Sequence, residues 1–465
     1  MTLETNWESL SDNVHKAISA LGKKSGVQAE AFFAGGQTTE VSIRNSEILT
    51  QKRVDDLGVG FRVIIKGNRV GFACTNITSS KGVLKAAERA FNIAKVSSEA
   101  PHFALPAAGK PSKTRGLFDS RIADIDMEEA VDVGRRGIRA AEDFDSRVIA
   151  KDGRIHFALE FVGILNTLGI DFEERRTRSF IYIGGGGEQN GEVTSSCYEA
   201  MFSRTANLDP ELVGENVARK VVRLFNPRSM RSFEGTVIFQ SEAASYQIVD
   251  VLLGALKADN VIAGSSMWAK QTGNPVASDR LTVRDDALLE DGFSSRSFDD
   301  EGCPSRDTVL IENGTLRSFL HDATSANALD LENTGNASRS PGGFDMVQTI
   351  IGSGYRAKPE IYASNLVIEP GKASTEELVA EVDKGLLVGS MAGFPQAGSG
   401  MVSAQLSQAF VIEEGAVRYP VSGGMLSGVA FDWLKNISGI SKESKTFRNA
   451  VVPSLRIEKL RVVGS

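Results

Sequence analysis

The chemistry this chain could perform centres first on one carboxylate, Glu242. It stands in QSEAASYQIVDVLL (240–253), directly after the strand-like EGTVIF (234–239), at the start of a long apolar helical pattern. A glutamate at a helix start, below a buried strand, is a position from which hydrolases activate water, but that chemistry needs an imidazole or a metal beside it. The chain contains only four histidines, His15, His102, His156 and His321, and none lies in this stretch. Two readings stay open on these residues: a catalytic helix stripped of its partners, or a core helix with a favourable N-terminal charge.

The other constellations are weaker. His156 and Glu160, in HFALE, share one face of an expected strand; a lone pair of this kind is read as hydrogen-bonded or solvated, because zinc takes three or four ligands. His321 and Asp322 are adjacent, and adjacent strand residues point to opposite faces, so they do not form a dyad. SFDDEGCPSRD (297–307) gathers Asp299, Asp300, Glu301 and Asp307, whose oxygens suit a hard cation; the simpler reading is a solvated turn with local side-chain hydrogen bonds. GGGG at 184–187 lacks the Gly-Lys-Ser/Thr ending of a phosphate loop and is expected to be a flexible loop. No G-x-S-x-G nucleophile elbow occurs.

The elements that must position these residues follow from periodicity. A first helix is expected over 6–23, strands at 28–34 and 40–48, and a hairpin over 58–75 turning on Lys66-Gly67-Asn68. Helices at 80–95 and 127–142 follow, separated by an extended linker marked by Pro101, Pro106 and Pro111. Strands around RIHFALEFVGIL and RTRSFIYIG lead to a helix at 209–225, with Asp209 as N-cap and Pro210 at its first position. After Asn226-Pro227 the pattern becomes a series of strands and hairpins, including TVLIENGTLRSFL with its turn at Asn313-Gly314. Two helices interrupt it: 241–256, apolar nearly all round and hence buried, and 375–384, whose Ser374-x-x-Glu377 has capping-box form. The fold class is α+β: an N-terminal α/β-sheet domain over 1–230, then a mainly antiparallel β domain over 231–465 with a buried central helix.

Composition narrows the function classes. At 465 residues the chain exceeds one ordinary domain. The net charge is −7 with no basic stripe or block, which argues against nucleic acid as a partner. The 46 glycines exceed the usual share of about 7% and point to many tight turns. Three widely spaced cysteines, Cys74, Cys197 and Cys303, fit neither a disulfide framework nor a C-x-x-C zinc site, so a reducing cytoplasm is expected. The polar amphipathic N-terminus and the lack of any apolar run of about 18 residues predict neither secretion nor membrane spanning.

In order along the chain, the 234–253 segment, FDDEG (298–302), LIENGTLRSFLHD (310–322), TGNASR (334–339), SNLVIEPG (364–371) and VPSLRIEKLRV (452–462) resemble the TldD/PmbA family, the modulator of DNA gyrase proteins. GVGFRVIIKGNRVGFACTN and AAERAFNIAK look like that family's N-terminal signature. The resemblance implies two subunit types. The TldD type carries H-E-x-x-x-H on this helix plus a cysteine near the C-terminus, together binding zinc with the glutamate as general base of a metallopeptidase. Positions 241 and 246 do not share a face of a regular α-helix, so the motif implies a π-like turn.

Here the two histidine positions fall on Ser241 and Tyr246 and the glutamate on Glu242, while ISGISKESKTFRNAVVPSLRI holds no cysteine. Hydroxyls are poor zinc ligands. The resemblance therefore implies a TldE (PmbA)-like, non-catalytic subunit with no cofactor of its own. Glu242 then acts against the helix dipole, worth about 0.3–1 kcal/mol, with Ser241 as N-cap. Zinc is expected in a TldD-type catalytic partner, with unfolded peptides enclosed between the subunits and bound by strand addition. A homodimer is expected to form in the partner's absence. The alternative from another class is a regulatory or binding protein of gyrase-modulator type, acting without proteolysis.

Overall fold

The computed structural model describes residues 3–339, 353–396 and 398–464. Helix α1 (Leu3–Gly22) precedes strands β1 (Gln28–Arg44), β2 (Glu47–Ile65) and β3 (Arg69–Thr75). Then come helix α2 (Ser80–Val96), the single turn α3 (Arg121–Asp124), helix α4 (Met127–Phe144), β4 (Val148–Asn166), β5 (Asp171–Gln189), the short β6 (Glu192–Val193), β7 (Cys197–Ser203) and helix α5 (Pro210–Val222). The strands form one antiparallel sheet in the order β3-β2-β1-β4-β5, with β6 and β7 both on β5.

Where two short strands were expected over 28–48, β1 is one strand of 17 residues. Its ladder runs unbroken through Gly35 and Gly36 opposite Leu57 and Asp56, so tertiary pairing overrides the local glycine signal. The β1–β2 turn uses Asn45 and Ser46 at positive φ, and the β2–β3 turn uses Gly67 and Asn68, matching the expected hairpin. GGGG (184–187) is not a flexible loop. It lies within β5 opposite Val148–Asp152, and helix α5 requires it: a Cβ on Gly185 or Gly187 would come within 2.8 Å of Val217 or Val221. Helices α1 and α2 bury Trp7, Leu10, Val14 and Ala90 with Phe33, Phe61 and Phe161 of the sheet.

The second half opens with β8 (Phe233–Phe239) and one continuous helical segment: α6 (Ser241–Ala244), a π turn over Ser245–Val249, and α7 (Asp250–Leu256). Next are α8 (Ala258–Ile262), β9 (Val283–Asp286), β10 (Asp307–Glu312), β11 (Thr315–Leu316), α9 (Ala323–Leu329), β12 (Ala337–Ser338), β13 (Glu360–Ile361) and β14 (Leu366–Ile368). The chain finishes with α10 (Thr375–Ala380), β15 (Lys384–Ala392), β16 (Met401–Glu413), β17 (Ala416–Pro420), β18 (Met425–Val429), α11 (Ala430–Lys435), β19 (Ile437–Phe447) and β20 (Ala450–Val463). Strand β20 pairs with both β18 and β8, so β8-β15-β16-β18-β20 closes into a barrel. The fold is thus α+β with mainly antiparallel sheets. Asn313-Gly314 makes the β10–β11 turn at positive φ, and Ser374 and Glu377 form the expected capping box on α10. Among the described residues no helix is long and apolar enough to cross a membrane.

A buried ionic junction ties the first sheet to the second half. Arg62 of β2 donates to Glu30 of β1 (Nε to Oε1, 2.9 Å) and to Glu301 (Nη1 to Oε1, 2.8 Å). Arg339 donates to Glu30 as well, and its backbone N–H to Asp300 at 2.6 Å. All of these side chains are buried, so each ion depends on its partner. Replacing Glu30 by Leu should therefore cost about 3–5 kcal/mol in urea denaturation, because it leaves the buried Arg339 guanidinium without its carboxylate and Arg62 with Glu301 alone. Replacing Arg317, whose pair with Glu312 is half exposed, should cost about 0–1 kcal/mol.

Candidate functional site

Strand β8 delivers the chain into the helical segment at Gln240, whose extended backbone donates its N–H to Val388 at 2.8 Å and accepts from Ala244 at 2.9 Å. Gln240 is therefore the N-cap, and Ser241 is the first helical residue rather than the cap expected for it. The π turn widens the helix between Ala244 and Asp250, as the resemblance implied for these positions. The segment is buried except along Tyr246, Asp250 and Gly254. Those residues recur at four-residue intervals and form one stripe facing outward.

Glu242 is neither solvated nor simply a dipole partner. Its Oε2 accepts from Lys220 Nζ at 2.7 Å, an ammonium carried in on α5 from the first half. The same Nζ donates to the Tyr198 carbonyl at 2.6 Å and lies 3.2 Å from Glu199 Oε2. Lys445 of β19 completes the set by donating to both oxygens of Glu199, at 3.0 and 3.2 Å. Two carboxylates thus face two ammonium groups. Burial pushes Glu242 up although Lys220 opposes the shift. Burial acts the same way on Glu199, but Lys220 and Lys445 together bring it below the ordinary value. For Lys220, burial alone would lower the pKa; Glu242 and Glu199 outweigh it and raise it. Lys220 holds its proton as a consequence.

Above this cluster Tyr198 donates its hydroxyl to Tyr246. Burial pushes both phenols up, so they remain neutral. Ser241 and Tyr246 present hydroxyls, Glu242 is held by Lys220, and the C-terminal segment contributes Lys445 rather than a thiolate. Zinc prefers imidazole, thiolate or carboxylate, and a fixed ammonium repels it. These residues do not fit zinc. Among the described residues no three His, Cys, Asp or Glu side chains converge as a metal-binding group.

The acidic run is not a solvated turn. Asp299, Asp300 and Glu301 are buried, and protein donors satisfy them: Asp299 accepts from the N–H of Glu301, Cys303 and Ala337, and Glu301 from Ala323 and Arg62. Asp307 lies apart on β10, paired with Arg284. His156 stacks on Phe180 at 4.8 Å, with Glu40 the nearest carboxylate at 3.8 Å, while Glu160 faces Arg178. His321 lies 3.4 Å from Ser325 Oγ, and Asp322 caps α9. Sequence reasoning missed Lys220 and Glu199. A signal existed: Lys220 falls three residues after Val217 and seven after Val213, on the buried stripe of α5.

The outward stripe floors two adjoining recesses. One is lined by Tyr198, Tyr246, Asp250, Tyr362 and Arg448; the other, of about 300 Å³, by Asp250, Tyr362, Met267, Gln396 and Phe431. Burial pushes Asp250 up to about 6, against the opposing charge of Arg448. Its folded pKa lies above the ordinary value of 3.8, so the folded state binds the extra proton. The associated stability is fully present below about pH 4 and is lost as pH rises through about 6. Asp250→Asn should therefore gain about 1–2 kcal/mol over the parent chain at pH 8 relative to pH 4, read from urea titrations at both pH values.

The chain that carries this geometry has known relatives along most of its length. Residues 232–464 match the PmbA/TldA metallopeptidase C-terminal domain, 29–94 its domain 1 and 120–225 its central domain. The last two segments share the first sheet described above. The chain is 28% identical over 398 residues to a protein named metalloprotease of Methanothermobacter thermautotrophicus, spanning 83% of this chain and 82% of that one. It is 26% identical over 467 residues to metalloprotease PmbA of Escherichia coli O157:H7, spanning 97% and 96%. The crystal structure of TldE from Thermococcus kodakarensis superposes with a TM-score of 0.86 at 24% identity, over 99% of this chain and 100% of that one, a likeness of fold. The family's domains match well over half of the sequence, and the chain belongs to the PmbA/TldD family.

Proposed function

We propose that this chain is the non-catalytic, TldE-type subunit of a two-subunit zinc metallopeptidase acting on unfolded peptides. In this reading the zinc sits in a TldD-type partner. This chain holds no metal and contributes the second wall of the substrate enclosure. We also read it as two domains meeting near residue 230.

One observation carries the proposal. At the helix where the family's catalytic type has two imidazoles flanking a glutamate, this chain has Ser241 and Tyr246, and its Glu242 is tied to the ammonium of Lys220 at 2.7 Å. A carboxylate committed to an internal cation is not available to take a proton from water, and the hydroxyls of Ser241 and Tyr246 are poor ligands for the Lewis acid that would lower that water's pKa toward about 7. The remaining architecture, a closed barrel in a chain that matches all three of the family's domains, supports a role in assembly. Retention of the π turn without the ligands fits a helix whose shape still matters after its chemistry is gone.

The purified chain should cleave no unfolded peptide, and mixing with a TldD-type chain should produce cleavage that a zinc chelator abolishes. Chelator-sensitive cleavage by this chain alone, lost in Glu242→Gln, would overturn the proposal. Co-purification with gyrase in the absence of any TldD-type chain would instead support the regulatory alternative.

A further inference from the structure

Lys220 is usually the sort of residue one reads as a surface lysine, yet its side chain is mostly buried and its ammonium is fully engaged. An ammonium has three protons. Here three oxygens converge on it: Glu242 Oε2 at 2.7 Å, the Tyr198 carbonyl at 2.6 Å and Glu199 Oε2 at 3.2 Å. The oxygens come from three different residues on two elements, and both carboxylates are buried. Such a convergence of carboxylate and carbonyl oxygens around one point is the ligand chemistry of a hard divalent cation, which binds oxygens at about 2.1–2.6 Å. The Glu242 and Tyr198 oxygens would close by up to about 0.6 Å, and the Glu199 oxygen by about 0.6–1.1 Å, to reach such distances.

The other oxygen of the Glu242 carboxylate points the same way. Glu242 Oε1 is buried and has no hydrogen-bond partner among the described residues, so this carboxylate keeps an unused acceptor. Lys445 compensates Glu199 but forms no ion pair with Glu242 among the described residues. Glu242 therefore depends on Lys220 alone for a contacting counter-charge.

We propose that Lys220 is a built-in cation filling an oxygen-lined seat formed by Glu242, Glu199 and the Tyr198 carbonyl, and that its ammonium is what bars divalent ions from this centre. The seat is for a hard ion such as Mn²⁺, distinct from the zinc chemistry considered above. Vacating it leaves Glu242 buried and uncompensated, a state that a divalent ion relieves. This deepens the reading of the chain as a non-catalytic subunit by naming the residue that keeps its centre metal-free.

The test measures Mn²⁺ bound by the full chain, from the loss of the free-ion electron paramagnetic resonance signal. The parent chain and Lys220→Arg should bind none at this centre. Lys220→Ala should gain about one Mn²⁺ per chain, and Lys220→Ala/Glu242→Gln should lose it again. Should Lys220→Ala be unfolded at rest, added Mn²⁺ should restore its thermal transition without moving that of Lys220→Arg. The proposal falls if folded Lys220→Ala binds no Mn²⁺, if Mn²⁺ fails to restore an unfolded one, or if the parent chain binds an ion that Glu242→Gln removes. Peptide cleavage with a TldD-type partner is measured on the parent chain, so failure of this test leaves the subunit reading standing, and failure of that reading leaves the Mn²⁺ result interpretable.

Discussion

A charged group that leaves water must take its counter-charge with it, since the cost of burying an isolated ion exceeds what most packing contacts return. This constraint governs how the two halves of the molecule meet. Glu30 of the first sheet is buried only because Arg62 and Arg339 reach it, and Arg62 in turn holds Glu301. Lys220 of α5 is inserted among Glu242 and Glu199 in the same way, with Lys445 closing the set from β19. In both clusters residues far apart in sequence supply opposite signs. Sliding one half against the other would leave several charges unpaired, so the ionic contacts define the register of the interface even where hydrophobic burial supplies most of the adhesion.

The same constraint explains how the helix that opens at Ser241 can hold a buried carboxylate. The segment from Ser241 to Leu256 keeps the buried faces, the π turn and the carboxylate, and the core against it is continuous with the barrel strands. At such a position a carboxylate alone would be buried without a partner. An ammonium brought in from α5 solves that problem with a group that cannot exchange with solvent. The phenols of Tyr198 and Tyr246, stacked edge to face above it, cap the cluster and separate it from the recess along the outward stripe.

Much of this arrangement was legible beforehand. Local signals found most of the helices, the hairpin turns at Gly67-Asn68 and Asn313-Gly314, the N-cap at Asp209 and the capping box at Ser374, because turn and cap preferences are decided by a few neighbouring backbone and side-chain atoms. The apolar periphery of the 241–256 helix likewise announced its burial. The hydroxyls of Ser241 and Tyr246 could be read directly, since the coordination chemistry of a hydroxyl is independent of fold.

Tertiary structure decided the rest. Whether Gly35-Gly36 breaks a strand or passes through it depends on β2 and β4 lying on both sides. GGGG became a packed strand because α5 needs the space where side chains would be. The acidic run 299–301 looked like solvated turn chemistry until Arg62, Arg339 and the backbone donors of 301–337 arrived from elsewhere. Lys220 is the sharpest instance: by type it is an exposed cation, and only the convergence of β7, α5 and the 241–256 helix turns it into the buried partner of Glu242. Composition and local spacing set what each residue can do, whereas the electrostatic environment that selects among those possibilities falls off over a few ångströms in space and has no counterpart in sequence distance.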